Sequence, residues 1–146
     1  MRWLHRIRRI TLGEIWLIAE AQLALLRCEF VRWRRPVGQL LGIGPTPAMQ
    51  ETSASAARTA VRISWAVTRA ARYGVFRPQC LVRALAVQTM LQRRGIESSQ
   101  LRIGVRLQKR EFQAHAWVEL NGLVLGDTVQ HIQTFTPATD LRLVQR

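Results

Sequence analysis

The stretch FQAHAWVELNGLVLGD, residues 112–127, decides how this chain folds. From Ala114 to Leu120 apolar residues recur at every second position, the repeat of a strand that buries one face. Asn121-Gly122 then breaks the run with a dipeptide suited to the positive φ angles of a tight hairpin. LVLGDTV, residues 123–129, reads as the returning strand.

Working outward, LRIGVRL (101–107) alternates in the same way, and QKREFQ (108–113) lies between as a turn. Three antiparallel strands in succession make a meander. Upstream the period lengthens. Leu12, Ile15, Ala19, Leu23, Leu26, Phe30 and Trp33 recur at steps of three and four, which predicts one long helix with Glu14, Arg27 and Arg32 off that stripe. RRPVGQLLGIGPTP (34–47) is a Gly/Pro-rich connector. A second helix is predicted from Thr52 to Arg72, with Ala57, Val61, Trp65 and Thr68 along one side and Gly74 as its terminator. A third is predicted from Pro78 to Arg94, with Pro78 in the first turn and Gly95 at the C-terminal cap. Trp16, Trp65 and Cys28 are expected to be packing residues. TFTPATDLRLVQR at the end is weakly patterned and fits a short helix or strand. The order, N-terminal helices followed by an antiparallel β-meander, is that of an α+β domain.

The chain of 146 residues is long enough to bury a real core, and 48% of them are hydrophobic. Its formal net charge of +13 is carried almost wholly by arginine. Such a field favours an acidic partner, whether nucleic acid, anionic lipid or acidic peptide. No nucleic-acid-binding motif accompanies it and the basic residues are scattered, so no nucleic acid is expected. Cys28 and Cys80 form neither a CxxC nor a disulfide framework, which suits a reducing, cytoplasmic setting. MRWLHRIRRI followed by IWLIAEAQLALL resembles neither a cleavable signal nor a spanning helix, because Glu14, Glu20 and Gln22 interrupt the apolar run. Contact of this first helix with a membrane or a partner is left open.

FRPQCLVRAL (76–85) places Cys80 at the head of the third helix. A cysteine nucleophile needs a stabilised thiolate, a base within reach and a group that orients the base. The unpaired N–H groups and the dipole of a helix N-terminus favour a negative charge, and the Cys80 amide could also hold an oxyanion, with the Gln79 side chain a weaker donor. The chain has three histidines. His5 lies in the basic arm and His131 after the third strand, whereas His115 sits mid-strand between Ala114 and Ala116. A plain two-residue turn at Asn121-Gly122 would pair Leu120 with Leu123, and so His115 with Thr128. A G1 bulge with Gly122 in the left-handed region shifts the register by one and sets His115 opposite Asp127, the candidate orienting carboxylate.

With these residues on the page, PQCLVRALAVQTMLQRRGI, LRIGVRL and FQAHAWVELNGLVLGD together resemble the leader peptidases of lasso-peptide biosynthesis, members of the transglutaminase-like, papain-related superfamily. The resemblance spans about residues 72–127 and is most specific from AHAWVEL to GD. It implies a catalytic triad of Cys80, His115 and Asp127, a cysteine peptidase that removes the leader of a ribosomally made precursor, and no cofactor. It also implies partners: the precursor with its leader, a macrolactam-forming cyclase and, because the N-terminal region lacks the pattern of a β-rich recognition domain, a separate leader-recognition protein. On this reading residues 1–45 form a helical arm and connector, and residues 46–146 the transglutaminase-like peptidase domain.

Three alternatives stand beside it. The same triad could transfer the acyl group to an amine, as transglutaminases do. The charge and the Arg/Trp-bearing arm would also suit a basic binding module for nucleic acid or membrane. A zinc site of Cys80, His115 and Asp127 would require a fourth ligand that is not evident, so no metal is expected. Arg83, Arg93 and Arg94, on the cysteine's helix, could face an acidic leader or partner.

Overall fold

The computed structural model describes residues 10–35 and 52–138. Residues 1–9, most of the Gly/Pro-rich connector and the segment after residue 138 lie outside them. Among the described residues three long helices come first: α1 (Leu12–Arg34), α2 (Ala54–Tyr73) and α3 (Cys80–Gln92). They are followed by β1 (Ser99–Gln108), β2 (Glu111–Leu120), β3 (Leu123–Leu125), the single turn α4 (Val129–Ile132) and β4 (Thr136–Pro137). The strands form one four-stranded sheet in the order β3-β2-β1-β4, antiparallel at every described pairing. The α+β order read from the sequence is the order observed.

The helices start where their sequences provide caps. Thr11 and Glu14 form a reciprocal capping box on α1, with Thr11 N–H donating to Glu14 Oε2 at 2.8 Å. Ser53 Oγ accepts from the Ala56 N–H at the head of α2. Helix α3 begins two residues later than expected: Gln79, in extended conformation, is its N-cap, Cys80 is its first residue, and Pro78 lies outside the helix. Gly95, at φ +72°, ends the turn after α3, and the Ile96 N–H returns to the Leu91 carbonyl.

Helix α3 is the hub, packing against α1, α2, β1 and β2. It contributes Val82, Ala86, Met90 and Leu91 to a core that also holds Leu25 from α1, Ile63 and Val67 from α2, and Val118 and Leu120 from β2. Each fully buried Leu, Ile or Met side chain stabilises the fold by about 1.5–3 kcal/mol relative to exposure.

On two helices the packed face is not the one that the spacing marks out. The α1 stripe lies on the solvent side, with Leu23 62% and Trp33 84% exposed, while Ala21, Ala24 and Leu25 face the core. The helix is apolar on both sides, so periodicity selects a face without saying which side the core is on. Trp16, expected to pack, is 78% exposed on that same outer side. On α2 the buried residues are Ala60, Ile63, Ser64, Ala66, Val67 and Ala70, and Val61 points to solvent. Here Arg58, Arg62, Arg69 and Arg72 take the opposite side and fix the orientation. Cys28 and Trp65 do pack against the core, as expected.

The sheet also departs from the reading in two places. Lys109 and Arg110, at φ 51° and 66°, make a two-residue turn, so β1 and β2 run on through the segment expected to be loop. Asn121 and Gly122, at φ 46° and 83°, likewise make a plain two-residue turn, pairing Leu120 with Leu123 and Val118 with Leu125. Of the two registers open to this turn, the plain one is adopted and the G1 bulge is not. Moreover β3 ends at Leu125 instead of continuing to residue 129, because Gly126 takes φ +80° and bends the chain out of the strand.

Candidate active site

The early end of β3 creates the site. With β3 pairing only residues 118–120 of β2, the edge of β2 from Glu111 to Trp117 has no partner on that side among the described residues. There the N-terminus of α3 and the bend at Gly126 meet the strand, and Cys80, Arg83, Thr68, His115, Trp117 and Gly126 line one small pocket. Cys80 is half-buried, and α3 has no side-chain cap at Gln79, so the helix opens onto this pocket with its backbone N–H groups free of side-chain partners.

Period two along β2 sends Ala116, Val118 and Leu120 into the core and leaves His115 and Trp117 on the other face. The chain bends at Gly126 and returns Asp127 to His115, whose Nε2 hydrogen-bonds Asp127 Oδ2. The two side chains expected to pair therefore do pair, but through the glycine bend and not through a shifted register.

Asp127 has further partners. The Thr128 N–H donates to Oδ1 at 2.7 Å, and His131 Nδ1 lies 3.0 Å from Oδ1 and 2.9 Å from Oδ2. Burial by itself would raise the pKa of this carboxyl, but the hydrogen bonds from His131, the Thr128 amide and His115 outweigh it and hold the group below the usual aspartate range. An ionised carboxylate only accepts, so both imidazoles must donate: His131 through Nδ1–H and His115 through Nε2–H. A neutral His115 in that tautomer keeps its Nδ1 lone pair free to take a proton.

Neighbouring rings fix the imidazole. Phe135 stacks on His115 at 5.2 Å between centroids, and His131 meets it edge-on at 4.8 Å. Phe135 can sit there because Gly104, opposite His115 across the β1–β2 pair, has no side chain. A Cβ at residue 104 would fall 2.7 Å from Phe135 Cβ and 2.9 Å from Trp117 Cη2. Arg106 secures the same segment, donating to Thr134 Oγ1 at 2.9 Å with its guanidinium 4.4 Å above the Phe135 ring.

The ligand atoms of His115, Asp127 and His131 lie within 4.8 Å of one another, and Cys80 does not belong to that group. The carboxylate at its centre is already shared by two imidazole donors and a backbone amide, so the three form a complete hydrogen-bonded unit as they stand. Of the arginines set apart for an acidic partner, Arg83 lines the pocket, whereas Arg94 is bound within the chain by a two-pronged pair to Glu20 at 2.6 and 3.1 Å.

His131 was passed over in the sequence because residues 123–129 read as continuous strand. Gly126 as a strand breaker, Thr128 as a helix cap, and an aspartate four residues before a histidine were the signals for it. Gly104 in the middle of LRIGVRL was likewise a sign of close approach by another group.

A cysteine at a helix N-terminus, in one pocket with a strand histidine that is bonded to an aspartate, is the residue set of cysteine-dependent acyl-transfer and hydrolytic chemistry. A family model for the transglutaminase-like superfamily matches residues 23–140, and the chain belongs to that superfamily, which includes cysteine peptidases and acyltransferases. No curated protein and no solved structure matches the chain.

Proposed function

We propose that the protein is a cysteine peptidase that removes the leader from a lasso-peptide precursor, working with a separate leader-recognition protein and a macrolactam-forming cyclase. The observation that carries the catalytic part is the His115–Asp127 hydrogen bond in a pocket that Cys80 also lines. The leader and its partners rest on the resemblance of PQCLVRAL and FQAHAWVELNGLVLGD to that peptidase family.

In this reading His115 Nδ1 takes the Cys80 proton, and the thiolate attacks the carbonyl carbon of the last leader residue. The Cys80 amide at the open end of α3 stabilises the oxyanion. The C–N bond breaks as His115 returns the proton to the leaving amine, which frees the α-amino group of the core peptide. Asp127 holds the imidazole in its tautomer and supports its positive charge. Water, deprotonated by His115, then hydrolyses the thioester and releases the leader as a free carboxylate. A free amine on the core is the nucleophile that lactam closure requires, so this cleavage would precede cyclisation.

The test is cleavage of a cognate precursor in the presence of the leader-recognition protein, read by mass spectrometry. Cys80→Ala is expected to leave precursor binding intact and abolish the cut; cleavage that survives in the variant ends the assignment. A leader C-terminus joined to an amine instead of free would assign acyl transfer to the same three residues.

A further inference from the structure

We propose that His131 is a positioning residue for Cys80 and His115: it clamps the Asp127 carboxylate so that His115 is held through Nε2 and presents Nδ1 to the thiol. This rests on the cysteine–histidine reading above and adds a fourth residue to it.

The argument starts from the freedom of a carboxylate. Held by the His115 bond alone, Asp127 could rotate about its terminal torsion and offer either oxygen, because that torsion is broad and two-fold. Three donors remove this freedom. The Thr128 amide fixes Oδ1, and His131 Nδ1 sits between the oxygens, 3.0 and 2.9 Å away, leaving Oδ2 aimed at His115. His131 is itself held: its N–H donates to Thr128 Oγ1 at 3.3 Å, and its ring meets Phe135 edge-on at 5.4 Å between centroids. Phe135 stacks in turn on His115. One residue thus touches the carboxylate, the base and the ring that packs on the base.

A packing role does not account for this placement. His131 is 43% exposed on its side chain, on the rim of the cluster, where an imidazole could have faced water. Its polar edge is turned inward to the carboxylate instead. The ionisable groups it meets are Asp127 on its own loop and His115 from β2; Arg106 from β1 reaches the same segment through Thr134 and Phe135, and Cys80 and Arg83 from α3 line the pocket on the far side of His115. The pocket residues from α2, Val67 and Thr68, carry no charge.

The consequence is testable without knowing the substrate. An oriented, ionised Asp127 stabilises the His115 imidazolium, and that cation stabilises the Cys80 thiolate, so alkylation of Cys80 should begin at lower pH. The experiment measures iodoacetamide alkylation of the native full chain against pH, with Cys80 and Cys28 peptides resolved by mass spectrometry. The variants are His115→Ala, His131→Ala and His131→Asn, each checked for an unchanged circular dichroism spectrum. Asparagine places an N–H donor near the position of Nδ1.

In His131→Ala, alkylation at neutral pH should slow about fivefold to tenfold, less than the full worth of a hydrogen bond to a charged group because the loss reaches the thiol only through His115, and the midpoint of the profile should move up. His131→Asn should recover most of both. A His131→Ala profile that overlays the wild type, or an Asn variant as impaired as Ala, overturns the inference. In either case a shifted His115→Ala profile leaves the proposed function standing. A His115→Ala profile identical to the wild type instead removes the cysteine–histidine reading itself.

Discussion

The two cysteines sit on two helices that both pack into the core, and their surroundings are opposite. Cys28 lies in the C-terminal half of α1, where its thiol meets Thr89 and burial pushes its pKa up, towards the inert neutral form. Cys80 is the first residue of α3, at an open helix end in a pocket shared with His115. Both are half-buried, so burial does not separate them. Position along the helix does: mid-helix backbone N–H groups are spent on the ladder, whereas those of the first turn are free to meet an anion. The helices differ in the same sense. Helix α3 is enclosed by four elements and opens its first turn onto a pocket, while α1 leaves a whole apolar side in solvent.

The largest effect expected from this contrast concerns the thiols. Removing an enzyme's nucleophile can cost on the order of 10⁶ in turnover, so Cys80→Ala should be inactive while Cys28→Ala keeps activity within about twofold, since that small packed site lies away from the pocket. Equal losses in precursor cleavage would erase the distinction between the helices. The next effect lies within α1 itself. Leu25 is 0% exposed and Leu23 is 62% exposed. Leu25→Ala should lower unfolding free energy by about 2–5 kcal/mol, whereas Leu23→Ala should change it by no more than about 0.5 kcal/mol. Urea melts of the two variants measure this, and a costly Leu23→Ala would mean that the outer stripe is a packed face.

The same contrast explains what could be read from the sequence. Element types and order were legible because period two, period 3.6 and the Asn-Gly and Gly95 signals are local. Sidedness was not legible on α1, since Leu17, Ile18, Ala21, Ala24 and Leu25 offer a second apolar face that competes with the stripe. On α2 the row of arginines carried that information and outweighs the small apolar side chains opposite. At the site, Cys80, His115 and Asp127 were found by residue chemistry and resemblance. The path joining the last two was not, because it depends on one backbone angle, φ +80° at Gly126, in place of a strand register. His131 followed from that same bend. Once the strand is read as ending at Leu125, residue 127 falls just before the cap of a helical turn and residue 131 within it, four positions on.

The smallest effect is on stability against pH, and it separates the carboxylate cluster from the apolar helices. Asp127 has a lowered pKa in the fold, so the folded state binds its proton less readily than the unfolded chain. Its contribution is therefore complete above the unfolded aspartate value, about 3.9. It is lost as pH falls from there through the lower folded value. Asp127→Asn removes that dependence, and the gap in thermal midpoint between wild type and variant should narrow as pH drops from neutrality to below about 3. The Leu25→Ala gap has no titrating group behind it and should stay nearly constant over the same window. If the Asp127→Asn gap were also constant, the hydrogen bonds from His131, Thr128 and His115 would not be favouring the ionised carboxylate, and the cluster would be held by shape and not by charge.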